Sequence, residues 1–427
     1  MSRIVKGMFD VMPKDEEKWR QVQWWRFVES TARDVAERFR FQEVRTPLVE
    51  YTELFERGVG NTTDIVEKEM YTFTDRAGRS ISLRPEGTAG IVRSFVGHKV
   101  YAQPQPTKWF YMGPMYRYER QQIGRYRQFH QLGVEAFGSF DPALDAEVIA
   151  LGMQFFEELG LKGVQVEINN VGDPESRARY FEALIAYFEP YKEELAEDAQ
   201  NRLYRNPMRI LDSKDPRTKE IAKGAPSILD YLSEESLANL EAVKQYLDIL
   251  GVNYVQNDRL VRGLDYYTQI AFEYMVDIPG AQASTIGGGG RYNGLVQEVG
   301  GPDMPGVGFG IGLERVLLAL EEQQVAVPEP GRLDCYMITF DQATKRKSMQ
   351  LLAELRRAGL SAERDYLDRK MKAQMKVADR EQARFVAILG EDELAQNLIQ
   401  VKNMETGTQV AVPFDQLVTY IQTEKGR

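Results

Sequence analysis

Apolar residues recur at three- and four-residue spacing near the start of the chain. Residues 15–39 therefore predict one long amphipathic helix, whose apolar face consists of Val22, Trp25, Val28, Ala32, Val35 and Phe39. An extended segment is predicted at residues 41–46. It stops at Pro47, because proline lacks the N–H group that a central strand needs.

Alternating aromatic and polar positions predict strands further along the chain, at residues 79–84, 108–118 and 128–138. The polar residues 119–126 separate the last two strands, so we expect a hairpin with a basic loop. A helix is predicted at 144–159, where Gly160 ends it.

The segment at about 172–245 differs from its surroundings. Glu, Lys and Ala increase, helical spacing dominates and five prolines interrupt the segment, so we interpret it as an inserted helical subdomain. Strand-like sequence returns at 252–276. A glycine-rich stretch at 287–290 follows, which by itself indicates a flexible turn between strands, and then a helix at 312–324.

A second domain is predicted after a linker at 326–333, which contains Pro328, Pro330 and Gly331. In residues 334–427, short apolar strands at 335–339, 385–389 and 409–412 alternate with helices near 342–358 and 371–380. Such alternation is typical of a compact α/β domain with a mainly parallel or mixed sheet. The first domain then spans residues 1–325.

Composition narrows the class of protein. The chain has 427 residues, of which 43% are hydrophobic and 28% charged, as in a globular protein of two or three domains. It contains no run of about 18 apolar residues and no apolar signal segment, so no membrane partner is expected. The single cysteine, Cys335, fits a reducing compartment, and we expect a cytoplasmic protein.

Charge and histidine content exclude several functions. The net charge of −10 argues against broad nonspecific nucleic-acid binding, so no DNA partner is expected and an RNA partner would need local basic patches. His98 and His130 are the only histidines, so no His-rich metal site is possible and no protein-held metal is expected. The common phosphate-binding glycine motifs are absent as well.

Arginines cluster around the predicted hairpin loop: Arg117, Arg120, Arg125 and Arg127, with Glu119 among them. Guanidinium groups suit a polyphosphate, although a salt-bridged surface loop is the more frequent explanation. Arg117 differs because it ends an apolar strand, where a lone cation is costly. Arg315 lies in the first turn of a predicted helix, where cations are not favoured, and this hints at an anionic partner.

Other segments combine polar side chains with glycine. Glu86 and Thr88 follow a strand, where they could hold an ammonium group or simply cap the next helix. In residues 261–267, Arg262 stands beside glycine and two tyrosines, a pattern that favours a ligand site and a plain Arg–Asp bridge equally.

Gln131 and Glu135 fall on one face of the strand predicted at 128–138, and His130 on the other, where we interpret it as structural. A buried carboxylate is costly when unpaired, so Glu135 either receives an imidazole N–H or pairs with a nearby arginine. Residues 365–384 carry six Lys and Arg side chains, which indicate either a helix facing RNA or a solvated helix.

In their order and their residue types, these segments resemble those of histidyl-tRNA synthetases along nearly the whole chain. The long helix with residues 41–47, residues 116–119 with 125–129, and residues 308–315 resemble the three class II synthetase motifs. Residues 262–267 and 288–295 resemble signatures of the histidine enzyme, although Asn293 stands where aspartate is expected. The resemblance implies an α+β catalytic domain on a mainly antiparallel sheet with flanking helices and a helical insertion, then a C-terminal α/β anticodon-binding domain.

The resemblance also implies roles for the matched residues, with Arg117 and Arg262 catalytic. The implied histidine site consists of Glu86, Gly87, Thr88, Arg117, Gln131, Glu135, Arg262, Tyr266 and Tyr267. The implied ATP site consists of Arg117, Glu119, Arg125, Phe129 and Arg315. Glu86 and Thr88 would bind the α-amino group, and Phe129 would stack on adenine.

The implied activity is ATP-dependent activation of L-histidine to histidyl-adenylate and transfer to the 3′ end of tRNA(His), with Mg²⁺ on the phosphates and a homodimeric assembly. Such chemistry depends on positioning the substrates and on stabilising negative charge with cations. This explains why the implied site is rich in arginine although the chain has no glycine-rich phosphate-binding loop. One alternative is a non-catalytic, histidine-sensing regulatory subunit, and another is an RNA-binding module with a degenerate core. The regulatory proteins usually lack the C-terminal domain and the site arginines that this chain has.

Overall fold

The computed structural model describes residues 3–60, 63–120, 122–264, 266–279 and 284–426. The chain divides into two compact units, residues 1–328 and 329–427. Within the described residues, no helix combines the length and the apolarity that crossing a membrane requires.

The first unit contains eleven strands among its described residues: β1 (Gln42–Glu43), β2 (Val49–Tyr51), β3 (Thr72–Thr74), β4 (Ser80–Leu83), β5 (Thr107–Tyr116), β6 (Gln128–Phe137), β7 (Gln165–Asn170), β8 (Tyr254–Gln256), β9 (Thr268–Met275), β10 (Thr285–Arg291) and β11 (Gly306–Gly312). Its α-helices are α1 (Val22–Arg38), α2 (Thr52–Val59), α3 (Thr88–Gly97), α4 (Pro142–Glu158), α5 (Pro174–Phe188), α6 (Glu197–Arg202), α7 (Pro216–Ala222), α8 (Glu234–Ile249), α9 (Leu295–Glu298) and α10 (Leu313–Glu322). Short 3₁₀ or π segments lie at Lys18–Arg20, Ile65–Glu69, Val100–Ala102, Glu189–Glu194, Pro207–Ile210 and Ile228–Tyr231.

Eight strands form the main sheet, in the order β1-β5-β6-β11-β10-β9-β7-β8. All pairs are antiparallel except the two edge pairs, β1–β5 and β7–β8. Helices α1, α4, α8 and α10 contribute apolar side chains to a continuous core with this sheet. A second core joins α3, the helical insertion, Tyr111 of β5 and Tyr292, which directly follows β10. The predicted mainly antiparallel sheet with flanking helices is therefore confirmed.

The composition of the glycine-rich stretch 287–290 indicated a turn. In the structure, this stretch is the middle of β10. Glycine is needed there because the neighbours are close. A Cβ on Gly289 would lie 1.9 Å from the carbonyl oxygen of Gly308, and one on Gly288 would lie 2.7 Å from Arg262 Nη1. The glycines therefore let adjacent strands and an arginine side chain approach the backbone of β10.

Several predicted elements are shorter in the structure. The first helix begins at Val22, after the 3₁₀ turn Lys18–Arg20, and the strand after it pairs with β5 over Gln42–Glu43 only. The strand-like segment 252–276 is divided into β8 and β9.

A separate three-stranded antiparallel sheet has the order β2-β4-β3. Its inward face is polar: Ser82 is fully buried and its hydroxyl contacts those of Thr52 and Thr72 at 3.0 and 2.7 Å. The opposite face carries Tyr51 and Phe73, both paired across β4 with Ile81. Apolar side chains on this small sheet thus point outward.

Helices α5–α8 form the helical insertion that the sequence predicted near 172–245. Asp173, just before α5, joins both ends of this segment. Its carboxylate accepts hydrogen bonds from Ser176 N at the start of α5 and from the hydroxyls of Ser233 and Ser236 at the start of α8. Partial burial opposes ionisation, but these hydrogen bonds outweigh it and hold the pKa of Asp173 well below its ordinary value.

The second unit contains the strands β12 (Cys335–Thr339), β13 (Ala362–Arg364), β14 (Phe385–Leu389), β15 (Leu398–Asn403) and β16 (Gln409–Pro413), in the order β13-β12-β14-β15-β16. Its helices are α11 (Gln342–Arg357), α12 (Met371–Arg380), α13 (Glu391–Ala395) and α14 (Leu417–Lys425), with a 3₁₀ turn at Phe414–Gln416. The strands β13, β12 and β14 are parallel and the others antiparallel. The sheet is therefore mixed, as the sequence predicted.

We expect Asp173→Ala to destabilise the insertion by about 1–2 kcal/mol, since its carboxylate caps α5 and also holds the hydroxyls of Ser233 and Ser236 at the start of α8. Amide hydrogen exchange in α5 and α8 measures the loss. Asp215→Ala is the matched control, because Asp215 caps only α7, through Thr218 N, and its effect should be smaller. The folded-state pKa of Asp173 is depressed, so its stabilisation is complete above the ordinary carboxyl pKa of about 4 and is lost as the pH falls below it. A difference between wild type and variant that grows towards acid pH would contradict this account.

Candidate active site

A buried polar cluster lies over the middle of the main sheet and centres on Glu135, which is 1% exposed. Thr88 Oγ1 donates to Glu135 Oε1 at 2.7 Å, and the hydroxyl of Tyr292 donates to Glu135 Oε2. Of the two interpretations of this carboxylate, the pairing with an arginine is wrong for the described residues. Hydroxyl groups, not cations, are its partners.

Glycines provide the space for this cluster. A Cβ on Gly308 would lie 2.1 Å from Glu135 Oε2, and one on Gly306 would lie 2.2 Å from the ring of Tyr292. A Cβ on Gly133 or Gly87 would come within 2.1 Å of the ring of Tyr111. Large polar side chains therefore lie flat against the sheet only because their neighbours have no side chain.

Burial raises the pKa of Glu135 to about 8, while the hydrogen bonds from Tyr292 and Thr88 act in the opposite direction. Burial also raises the pKa of Glu86, which is 3% exposed, although backbone N–H groups partly offset the effect. Burial thus opposes ionisation of two neighbouring carboxyl groups, even though Glu86 already accepts two backbone N–H groups.

Glu86 caps helix α3, the simpler of its two interpretations. Its oxygens accept from the backbone N–H groups of Thr88 and Ala89 at 2.6 and 2.9 Å. The hydroxyl of Thr88 points away from this cap to Glu135. The cap therefore places Glu86, Gly87 and Thr88 beside the polar cluster.

Arg117, directly after β5, is not a lone cation. Its Nε donates to Pro85 O at 2.8 Å, and its guanidinium carbon lies 5.1 Å from the ring centroid of Phe129. Glu119 Oε1 lies 3.8 Å from its Nη1. Arg117 therefore connects the segment before α3 with the start of β6.

Arg125 and Arg315 complete a group of cations around Glu119. Arg125 Nη1 lies 3.2 Å from Glu119 Oε2. Arg315 donates from Nε to Gly124 O at 3.1 Å and from Nη1 to Thr285 O. Burial and then the positive charge of Arg125 lower the pKa of Arg315. Cations that weaken each other's ionisation fit an anionic ligand, as the position of Arg315 at a helix start suggested.

Arg262 lies between the cation group and the tyrosines. Its Nη1 forms an ion pair with Glu273 of β9, and Thr285 Oγ1 donates to the same carboxylate at 2.9 Å. Burial opposes the charge of Arg262, but Glu273 outweighs it and the pKa of the guanidinium is raised. The Nε of Arg262 is buried and has no hydrogen-bond partner among the described residues. One donor thus remains for a ligand.

Tyr266 and Tyr267 are buried next to the cluster, with ring centroids 4.6 Å apart. Tyr267 lies 5.6 Å from Arg262, and Tyr266 lies 5.6 Å from the ring of Tyr292. The predicted Arg–Asp bridge of this segment involves Asp265, which lies outside the described residues. Gln131 lies on the Glu135 face of β6, where a Cβ on Gly310 would be 3.4 Å from its Nε2. The structure therefore brings the predicted histidine-site residues to one region.

Three polar side chains of this region were missed by the sequence interpretation: Tyr111, Tyr292 and Glu273. Tyr292 was hidden because its segment, 287–294, indicated a flexible turn. Its place in the segment 288–295, which resembles a signature of the histidine enzyme, is a signal that could have found it.

His130 is structural in the described residues, as predicted. Its backbone N and its Nδ1 both contact the carboxylate of Glu314, the latter at 2.9 Å, and its ring lies 4.8 Å from that of Trp25. It therefore ties β6 to α10, the helix that carries Arg315.

In the described parts of the chain, no three His, Cys, Asp or Glu side chains are grouped so that they could hold a metal ion. The region offers arginine, tyrosine and carboxyl groups instead. These can bind an anion and a small polar cation side by side.

Comparison with known proteins identifies both units. Residues 7–316 match the family model described as histidyl-tRNA synthetase, and residues 334–424 match the one described as anticodon binding domain. Curated histidine–tRNA ligases from Halalkalibacterium halodurans and Bacillus subtilis are 54% and 52% identical. The first match covers 99% of this chain and 98% of the relative, and the second covers 97% of each.

Solved structures agree with these matches. The apo histidyl-tRNA synthetase of S. aureus has a TM-score of 0.83 at 44% identity, with 99% of this chain and all of that chain covered. A Bacillus halodurans protein described as an ATP phosphoribosyltransferase regulatory subunit/histidyl-tRNA synthetase has a TM-score of 0.64 at 22% identity, covering 91% of this chain and 98% of that one. At that identity the second match shows a shared fold only.

An arginine-rich site on an antiparallel sheet, followed by a separate domain of the anticodon-binding type, defines an aminoacyl-tRNA synthetase. The chain belongs to the histidyl-tRNA synthetase family. The predicted family, fold class and enzyme class are therefore confirmed, whereas the roles of individual site residues stay predictions.

We expect Gly308→Ala to destabilise the first unit by about 1–3 kcal/mol, because the new methyl group would overlap Glu135 Oε2 and Val134 O. Gly312→Ala is the matched control on the same strand, since its nearest neighbour is 4.0 Å away and its effect should stay within about 0.5 kcal/mol. Urea unfolding followed by tryptophan fluorescence reports this unit alone, because the four tryptophans are Trp19, Trp24, Trp25 and Trp109. Equal effects of the two substitutions would contradict the packing described for Glu135.

Proposed function

We propose that the chain activates L-histidine with ATP to histidyl-adenylate and transfers the histidyl group to the 3′ end of tRNA(His). The position of Arg262 carries this proposal. Its guanidinium lies against Gly288 and Tyr267, between the acidic and tyrosine cluster and the cation group, and keeps one donor unpaired among the described residues. An amino-acid carboxylate and an α-phosphate would meet at that point.

The imidazole ring of histidine binds among Gln131, Glu135, Tyr266 and Tyr267. Their polar atoms are buried or half-buried next to one another, so an apolar side chain of similar size would leave them unpaired. The α-amino group binds at Glu86 and Thr88. The raised pKa values of Glu86 and Glu135 fit groups that ionise when a positive or N–H-bearing ligand arrives.

ATP binds over the cation group. Adenine stacks on Phe129 and contacts Glu119, Arg117 contacts the α-phosphate and the histidine carboxylate, and Arg125 and Arg315 bind the outer phosphates. The mutual repulsion that weakens ionisation of Arg315 is relieved by a polyphosphate, because its negative charge compensates several cations at once.

In the first step, a carboxylate oxygen of histidine attacks the α-phosphorus, the bond to the bridging oxygen breaks and pyrophosphate leaves. Arg117 and Arg262 stabilise the charge that develops on the α-phosphate. In the second step, a hydroxyl of the terminal tRNA adenosine attacks the histidyl carbonyl carbon and AMP leaves. Little proton transfer is needed in the first step, which fits a site built from fixed arginines.

Mg²⁺ accompanies ATP in this proposal. The described residues offer no carboxylate cage for a metal, so phosphate oxygens and water would supply most of its ligands. The buried Cys335, whose thiol pKa burial raises to about 12, has little thiolate at neutral pH and fits the proposed cytoplasmic location.

The second unit recognises the tRNA. It matches the anticodon binding domain model, and its α12 carries basic side chains within the segment 365–384. Exposed lysine and arginine side chains on a helix can bind RNA phosphates. They form the local basic patch that a chain with a net negative charge needs in order to bind RNA.

A second copy of the chain covers the outer face of the three-stranded sheet. Tyr51 and Phe73 are each 48% exposed and flank Ile81, while the polar side of the same sheet faces inward. An apolar outer row on a short sheet is costly in water and favours a subunit interface. A homodimer is therefore the proposed assembly.

The regulatory alternative is less supported. Relatives named histidine–tRNA ligases match over the full length of the chain, including the second unit, and the site arginines 117, 262 and 315 are present.

Histidine-dependent exchange of labelled pyrophosphate into ATP tests the proposed reaction. We expect exchange with histidine alone among amino acids, and a loss of about 100-fold or more in Arg262→Ala, because a buried charge contact in the transition state is removed. Arg259→Ala is the matched control. Arg259 lies in the same segment but donates to the carbonyls of Pro226 and Ala225 in the insertion, so exchange should largely persist. Absence of exchange in well-folded wild type would revive the regulatory alternative.

Sedimentation equilibrium tests the dimer. We expect the wild type at twice the mass of one chain, and Phe73→Glu shifted towards the monomer, because a carboxylate would be buried at the interface. Phe340→Glu is the matched control, since Phe340 is also 48% exposed but lies in the second unit. A monomeric wild type, or equal effects of both substitutions, would reject the proposed interface.

A further inference from the structure

We propose that the N-terminal segment, residues 5–12, is a positioning element of the ATP site: it holds the hairpin loop at residues 117–127 in the orientation that ATP needs. The inference rests on the proposed function, because this loop carries Glu119 and Arg125, which bind ATP in that proposal. It adds to the site a segment that precedes all the motifs implied by the resemblance.

The hairpin loop connects β5 to β6, and its two arms join at the base, where Arg117 N donates to Arg127 O at 3.0 Å. The returning arm is also bound to the N-terminal segment, since Arg127 N donates to Gly7 O at 2.7 Å. Both backbone groups of Arg127 are thus hydrogen-bonded. The backbone of the returning arm is therefore fixed by the first arm of the loop and by the N-terminal segment together.

The side chain of Arg127 extends this contact towards the residues that bind ATP in the proposal. Its aliphatic part lies against Gly7, where a Cβ would be 2.8 Å from Arg127 Cγ. Its guanidinium carbon lies 3.8 Å from the ring centroid of Tyr118, and its Nε donates to Glu119 O at 3.4 Å. One arginine side chain therefore spans from the N-terminal segment to Glu119, and in close-packed surroundings a shift at one end moves the other.

Glycine is needed at position 7 for two reasons. The φ of Gly7 is +83°, in the left-handed region that other residues rarely adopt, and the space for a side chain is filled by Arg127. The turn that contains Gly7 is closed by a hydrogen bond from Met8 N to Val5 O at 3.1 Å. This turn brings the backbone of the N-terminal segment into direct contact with the hairpin loop.

The N-terminal segment is itself anchored to the first unit. Phe9 packs edge-to-face on Trp19 and on Tyr126 of the returning arm, with ring centroids 4.9 and 5.0 Å apart. Further along, Met12 forms a parallel backbone bridge with Gln21, directly before α1. Because the segment is fixed by these contacts, it can hold the loop in place before ATP arrives.

Gly7→Ala tests the inference in histidine-dependent pyrophosphate exchange. The new methyl group would displace Arg127 and with it Glu119, so we expect KM for ATP to rise about tenfold. KM for histidine should stay within about twofold, because the contacts of Glu135 with Thr88 and Tyr292 are unchanged. A merely structural role would reduce the amount of folded enzyme and leave both KM values as in the wild type.

Gly251→Ala is the matched control. Gly251 also has a positive φ, +69°, but a Cβ there would meet no atom of the described residues within 4 Å. The substitution therefore reproduces the backbone strain without the contact, and both KM values should stay at those of the wild type. The inference is overturned if Gly7→Ala and Gly251→Ala have the same KM for ATP, or if Gly7→Ala raises both KM values equally.

Phe9→Ala decides the question if Gly7→Ala does not fold. It removes the ring that packs on Tyr126 and keeps the turn, so we expect KM for ATP to rise about threefold with KM for histidine unchanged. Phe140→Ala is its control, since Phe140 is 65% exposed and should alter neither value. An unchanged KM for ATP in Phe9→Ala overturns the inference and leaves the proposed reaction intact. A wild type without histidine-dependent exchange removes the proposed function itself.

Discussion

Burial of one carboxyl group against the middle of the main sheet is the constraint on which the rest of the site depends. Glu135 lies between β5 and β11, where an unpaired polar group is costly. Its partners among the described residues are hydroxyl groups rather than cations, so burial prevails and raises its pKa to about 8. A buried carboxyl group whose hydrogen-bonding capacity is only partly used favours a ligand that donates a further hydrogen bond to it.

The glycines around this carboxyl group follow from the same constraint. Gly306 and Gly308 on β11 and Gly133 on β6 leave room for Tyr292, Glu135 and Tyr111, because a Cβ at any of the three glycines would overlap one of these side chains. On β10, Gly288 does the same for Arg262. A glycine in a strand normally weakens it, so these four glycines provide room for the site at a cost in strand stability.

The site also separates its charges. Two carboxyl groups and several tyrosines lie on one side of Arg262, and Arg117, Arg125 and Arg315 surround Glu119 on the other. An amino acid carrying an ammonium and an imidazole group fits the first side, and a polyphosphate fits the second. Because these groups are fixed by backbone carbonyls and by neighbouring side chains, they need little reorganisation when charge moves between the two substrates.

The sequence by itself determined the family, the two-domain organisation and most helices and strands. Hydrophobic periodicity and the order of motifs are local properties, which can be seen without knowing which distant residues meet. Strands Cys335–Thr339 and Phe385–Leu389 and helix Met371–Arg380 lie where the sequence predicted them. Only the tertiary structure decided that residues 287–290 form a central strand, that Glu273 pairs with Arg262, and that Thr88 and Tyr292 hold Glu135. These facts depend on the register between strands. Tyr292 and Glu135 are 157 positions apart, and nothing local in the sequence specifies that their side chains meet.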